Sequence, residues 1–145
     1  MNISIKKLRD SAILPSYATA HAAGMDLSAC IDEPMTIAPG ERKLIPTGVV
    51  VAVPVGYEVQ IRGRSGMAIK HGIMPANGMG TIDADYRGEM HAILLNNSDE
   101  PFVIEPGMRV AQMVVAKHET VQWQQVDELD ETDRGANGFG STGTI

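Results

Sequence analysis

Short β-prone runs, cut at close intervals by proline, glycine and asparagine turns, leave this chain little choice but a β fold. Ile3–Leu8 and Tyr57–Ile61 alternate apolar and polar residues, the pattern of half-buried strands. Lys43–Val53 is rich in valine but is interrupted by Pro46 and Gly48, which predicts a bend or bulge. Met90–Leu95, Phe102–Ile104, Val110–Ala116 and Val121–Val126 complete the set, with turns at Ala38–Glu41, Pro54–Gly56, Asn96–Asp99 and Glu105–Gly107. Only Ser65–Lys70 is long enough for a helical turn or two, and Gly72 is placed to end it. Together these features predict an all-β chain, a jelly-roll-like antiparallel β-sandwich with one short helix.

Composition narrows the partners. Hydrophobic residues make up 43% of the 145 residues and aromatics only 4%, so the core must rest on Val, Ile, Leu, Met and Ala. Acids outnumber bases 18 to 12, against a chain that coats nucleic acid or anionic membrane. A small phosphorylated ligand needs only a few cations and backbone N–H groups, and is still allowed. The single cysteine, Cys30, cannot form an internal disulfide, and Met1–Ile5 lacks the start of a secretory leader. The longest apolar run, Val49–Pro54, is too short for a bilayer. The expectation is a cytoplasmic protein.

From about Asp127 the character changes. Asp127–Asp133 is acidic, and Arg134–Thr144 is nearly all Gly, Ser, Thr and Asn around Phe139. Such a segment cannot bury enough apolar surface to offset its ordering entropy. The expected division is a β domain over 1–130 and a flexible C-terminal arm over 131–145.

Five strings carry chemistry. Gly80–Glu89 reads as a hairpin whose tip presents Asp83, Asp85 and Tyr86, with Asn77 just before it; a carboxylate there could take a proton from attacking water. In Gly63–Ala68 a strand end runs into a helix start, where Ser65 as cap, Arg64 beside it and the backbone near Gly66 make an anion site. Arg109–Val114 resembles a core strand, and Gln112 either faces solvent or donates its amide to a phosphate oxygen. Gly24–Leu27 sets Asp26 in an apolar context, as a structural turn acid or a ligand acting through water. In Arg134–Gly143, Arg134 can pair with a terminal phosphate, and Ser141 and Thr142 can donate to phosphate oxygens. Gly140 and its neighbouring glycines let the backbone approach, and Phe139 can stack on a base.

Taken in order over residues 23 to 143, these strings resemble the five motifs of trimeric dUTPases. The resemblance implies a jelly-roll subunit in a homotrimer whose active sites are shared between chains. Those sites would hydrolyse dUTP to dUMP and pyrophosphate, limiting uracil incorporation into DNA and supplying dUMP for thymidylate synthesis. It implies that Asp83 activates the water attacking the α-phosphorus. Asn77 and the Gly78–Asp83 backbone, including Gly80, Thr81 and Ile82, would read uracil, and Tyr86 would pack under the deoxyribose. Arg64, Ser65, Gly66 and Gln112 would hold phosphates, and Asp26 would bind Mg²⁺ through water. Arg134, Gly140, Ser141 and Thr142 would close on the γ-phosphate with Phe139 over the base. The sequence departs from the family pattern at Met25, where Tyr is frequent, at Gly63, where Pro is common, and at Asn137, where Gly is usual. Asn137 tolerates left-handed backbone, so the arm could still bend.

Three rivals stand beside this reading: a dCTP deaminase-like enzyme of the same superfamily, a dUTPase-fold module that senses nucleotide or binds a partner without turnover, and a plain structural β-sandwich, which leaves Arg134–Gly143 without a purpose. The histidines His21, His71, His91 and His118 have no metal-binding spacing and are given no role. Cys30 is expected in the core, and Trp123 as buried packing or at a subunit contact.

Overall fold

The structure, a computed structural model, describes residues 1–139 and 141. Twelve strands and one helix follow in order: β1 Ser4–Lys7, β2 Ser16–Tyr17, β3 Met25–Ser28, β4 Met35–Ile37, β5 Arg42–Pro46, β6 Val49–Ala52 and β7 Tyr57–Arg62. Then come α1 Ser65–His71, β8 Ile73–Pro75, β9 Gly80–Ile82, β10 His91–Asn96, β11 Phe102–Ile104 and β12 Arg109–Lys117. Every pairing among them is antiparallel. A five-stranded sheet runs β2-β3-β12-β7-β9, a three-stranded sheet β5-β10-β8, and two ribbons pair β1 with β6 and β11 with β4. Between the layers lies an aliphatic core that includes Leu27, Ile45, Val59, Leu94, Ile104 and Val110, each almost fully buried. Each such side chain contributes about 1.5–3 kcal/mol by leaving water. Among the described residues no helix is long and apolar enough to cross a membrane.

The expected turns form. Tyr57 N–H donates to Pro54 O at 3.1 Å and Met108 N–H to Glu105 O at 3.0 Å. The 96–99 turn is closed from inside by fully buried Asn96, whose Oδ1 accepts from the Ser98 N–H and hydroxyl. The valine-rich run breaks at Thr47-Gly48, between β5 and β6, because Gly48 has φ +70° and a Cβ there would overlap Ala12 and Cys30. Cys30 is buried and free, as expected. In β12 a bulge between Arg109 and Ala111 lets consecutive Val110 and Ala111 both face inward, which strict alternation forbids.

Two expectations fail. β1 is exposed along its whole length instead of half-buried, since it pairs only with β6 in a two-stranded ribbon. Residues 121–126 form no strand on this chain: an isolated extended segment has no ladder to join. Trp123, expected as buried packing or at a subunit contact, is 93% exposed on this chain.

Candidate active site

Two clefts share no lining residue, and each gathers one chemical half of the predicted set. The first, about 450 Å³, is lined by Asn77, Gly80, Thr81, Ile82, Asp83 and Tyr86, among others. The second, about 620 Å³, includes Asp26, Arg64, Ser65, Gly66, Arg109 and Gln112.

Sheet register builds the second cleft. Asp26 on β3 and Arg62 on β7 both stand opposite Gln112 on the central strand β12. Two residues beyond Arg62, Arg64 ends the extended chain and becomes the N-cap of α1. Its carbonyl accepts from the N–H groups of Met67 and Ala68, both at 3.1 Å, while its guanidinium reaches back to β3. Arg64 Nε donates to Asp26 Oδ1 at 3.0 Å, and Arg109 Nη1 donates to Asp26 Oδ2 at 3.0 Å. Arg64 Nη1 also donates to the Arg109 carbonyl at 3.1 Å. One carboxylate thus fixes two guanidinium groups, each with further N–H groups to offer an anion. Each Asp26 oxygen accepts one of these bonds and keeps a second lone pair, on a side chain 21% exposed. That arrangement fits a carboxylate that accepts from the water shell of a hard cation such as Mg²⁺.

Ser65 was expected to cap the helix, but the cap is Arg64, with no side-chain capping bond, and Ser65 is the first helical residue. Its hydroxyl is therefore not committed to the helix, and the N–H groups of Ser65 and Gly66 belong to the first turn, where no intrahelical acceptor exists. At the other end Gly72 (φ +66°) closes α1 with its N–H on Ala68 O. The Gln112 amide donates through Nε2 to Gly63 O at 2.9 Å. Its Oε1 lies over Gly24, where a Cβ would overlap it. The departure at Gly63 has a local reason: a Cβ there would collide with the Pro75 ring, so the bulk is supplied from β8 instead.

The first cleft begins at a turn in which Gly78 (φ +71°) donates to Pro75 O at 3.1 Å and holds Asn77 at the mouth. β9 then pairs with β7, Ile61 opposite Gly80 and Gln60 opposite Thr81. Because β8 joins β10 while β9 joins β7, residues 73–82 cross between sheets. Gly80–Glu89 is therefore not the two-stranded hairpin expected: β9 gives way after Ile82 to a loop bonded to itself. Tyr86 N–H donates to Asp83 O at 3.2 Å, and Arg87 Nη1 donates to Ala84 O at 2.7 Å and Tyr86 O at 2.8 Å. The loop holds the Asp83 side chain, at the end of β9, out to solvent.

Among the described residues, none of the arm lines either cleft. Arg134 Nε donates to Asn137 O at 2.9 Å, within the arm itself, and Phe139 and Ser141 are exposed. Gly140 and Thr142 lie outside the described residues. The left-handed residues of the described arm are Gly135 (φ +51°) and Phe139 (φ +50°); Asn137 does not take that conformation. No three His, Cys, Asp or Glu side chains gather as a metal cage among the described residues.

Comparison with known proteins places this geometry in company. The dUTPase family model matches residues 10–143. A deoxyuridine 5'-triphosphate nucleotidohydrolase of Rickettsia felis is 58% identical over 142 residues, spanning 97% of this chain and 96% of that protein. The protein of the same description from Syntrophotalea carbinolica is 52% identical over 143 residues, spanning 99% and 97%. Among solved structures, the Staphylococcus bacteriophage 80alpha dUTPase with dUpNHpp superposes with a TM-score of 0.89 at 27% identity, over 99% of both chains. A variant dUTPase from phage phi11 of S. aureus, solved for its coordination of a structural Mg(II) ion, gives a TM-score of 0.80 at 25% identity, over 88% of this chain and 98% of that one.

Proposed function

The chain belongs to the dUTPase family and is a deoxyuridine 5'-triphosphate nucleotidohydrolase; from that premise we propose how its residues divide the work. The observation that carries the assignment is the sorting of the two clefts. Around Asp83 lie the groups suited to a base and a sugar, and around Asp26 those suited to phosphates.

Asp83 orients the water that attacks the α-phosphorus and takes its proton. Asn77 and the backbone of Gly80, Thr81 and Ile82 read the uracil edge, with no room for a methyl at C5. Tyr86 lies beneath the deoxyribose and leaves no space for a 2′-hydroxyl. Arg64, Ser65, Gly66 and Gln112 hold the triphosphate, and Asp26, which fixes Arg64, would hold Mg²⁺ through water. That ion, when bound, neutralises charge on the phosphate oxygens. Arg134, Gly140, Ser141 and Thr142 close on the γ-phosphate and Phe139 covers the base, which shuts water out of the site.

The working unit is a homotrimer in which the first cleft of one copy meets the second cleft of another. Two features support it. The clefts share no lining residue, and Val121, Trp123, Val126 and Leu129 are exposed on a segment that extends past β12. The expected setting is the cytoplasm, where the enzyme keeps dUTP low and provides dUMP.

The test is pyrophosphate release from dUTP, dTTP, dCTP and UTP with Mg²⁺. Preference for dUTP supports this reading. Preference for any other of the four overturns the assignment of the first cleft, and ammonia release from dCTP would revive the deaminase.

A further inference from the structure

We propose that His91 is a positioning residue for the sugar-facing tyrosine. Its Nδ1 and the Tyr86 hydroxyl converge on one acceptor, the carbonyl oxygen of Glu89, at 2.9 and 3.1 Å. The inference rests on the reading of Tyr86 given above.

A carbonyl oxygen only accepts, so the ring proton of His91 sits on Nδ1, and the tyrosine donates as well. The oxygen has two lone pairs and can serve both donors at once. Tyr86 needs such a tether: it is 43% exposed, and packing alone does not fix its ring. Beneath the hydroxyl the backbone is bare, because a Cβ at Gly88 would overlap it. Glu89, by contrast, is pinned. Its Oε1 accepts the Gly48 N–H at 2.7 Å and lies 3.7 Å from Arg9 Nη2, and the next residue, Met90, is fully buried. Tyr86, Glu89 and His91 all line the first cleft. His91 thus orients a fixed carbonyl, and that carbonyl sets where the tyrosine ring stands against the sugar.

The test is steady-state kinetics with dUTP and UTP on the full chain. His91→Leu keeps the bulk and removes the donor. Its preference for dUTP over UTP should fall about tenfold, the scale of one hydrogen bond. KM for dUTP should rise, with kcat at saturation held within about twofold, as expected when ground-state positioning is lost. His91→Asn, whose amide nitrogen can replace Nδ1, should restore the preference. Tyr86→Phe should resemble His91→Leu, and the double variant should be no worse than either, since both cut one shared anchor. Unchanged selectivity in His91→Leu, an Asn variant as poor as the Leu variant, or additive losses in the double variant would each overturn the proposal. A wild-type enzyme that does not prefer dUTP to UTP would instead overturn the placement of the sugar at Tyr86.

Discussion

Asp26 and Arg64, 38 residues apart, meet at 3.0 Å, and the same carboxylate holds Arg109 with its other oxygen. The acid of one strand therefore aims two cations of the second cleft. Asp26→Asn keeps the shape but halves the acceptor character and removes the charge. Misdirecting Arg64 by an ångström should cut kcat/KM about 10²-fold. The Mg²⁺ concentration for half-maximal rate should rise as well. A variant with wild-type metal dependence would refute the water-mediated role.

Gly24→Ala puts a methyl where Gln112 Oε1 lies. Overpacking of this kind costs about 1–3 kcal/mol, which thermal melting would register. The displaced amide should also let go of Gly63 O, so KM for dUTP should rise more than kcat falls. Unaltered KM beside a lowered melting temperature would leave Gln112 a packing residue only.

Asp83→Asn should bind dUTP as the wild type does and lose about 10²–10⁴-fold in turnover, the usual worth of a general base. Calorimetric titration against single-turnover rates separates the two quantities. Near-normal turnover would remove Asp83 from the chemistry.

Truncation after Asp130 removes an arm whose described residues line neither cleft on this chain. The shortened protein should melt within a few degrees of the full chain, yet hydrolyse dUTP about 10²-fold more slowly for want of closure. Full activity would make the arm ornamental.

Most of the architecture was legible because strand signals in this chain are local. The alternation of Tyr57–Ile61 and the turns at Pro54–Gly56 and Glu105–Gly107 are each decided by a few neighbouring residues. What failed depends on partners distant in sequence. Val121–Val126 has β-prone residues but no strand of its own chain beside it, and β1 has a ladder partner but no covering layer. The crossing of 73–82 between sheets is a choice of neighbours that no local string encodes. At the site the residue types were readable, but their mutual bonds were not. Nothing in the spacing ties Asp26 to Arg109, and no motif marks His91, which the structure places at the start of β10.

In the proposed shared-site trimer, the lack of any lining residue common to the two clefts reaches beyond a single molecule. Where base and triphosphate are gripped by different copies, injury is not inherited by every catalytic centre of an assembly. Denatured together and refolded, a copy crippled at Asp83 and another crippled at Arg64 would form hybrids in which some centres draw only on sound halves. Two inert preparations would then yield measurable turnover that neither shows alone.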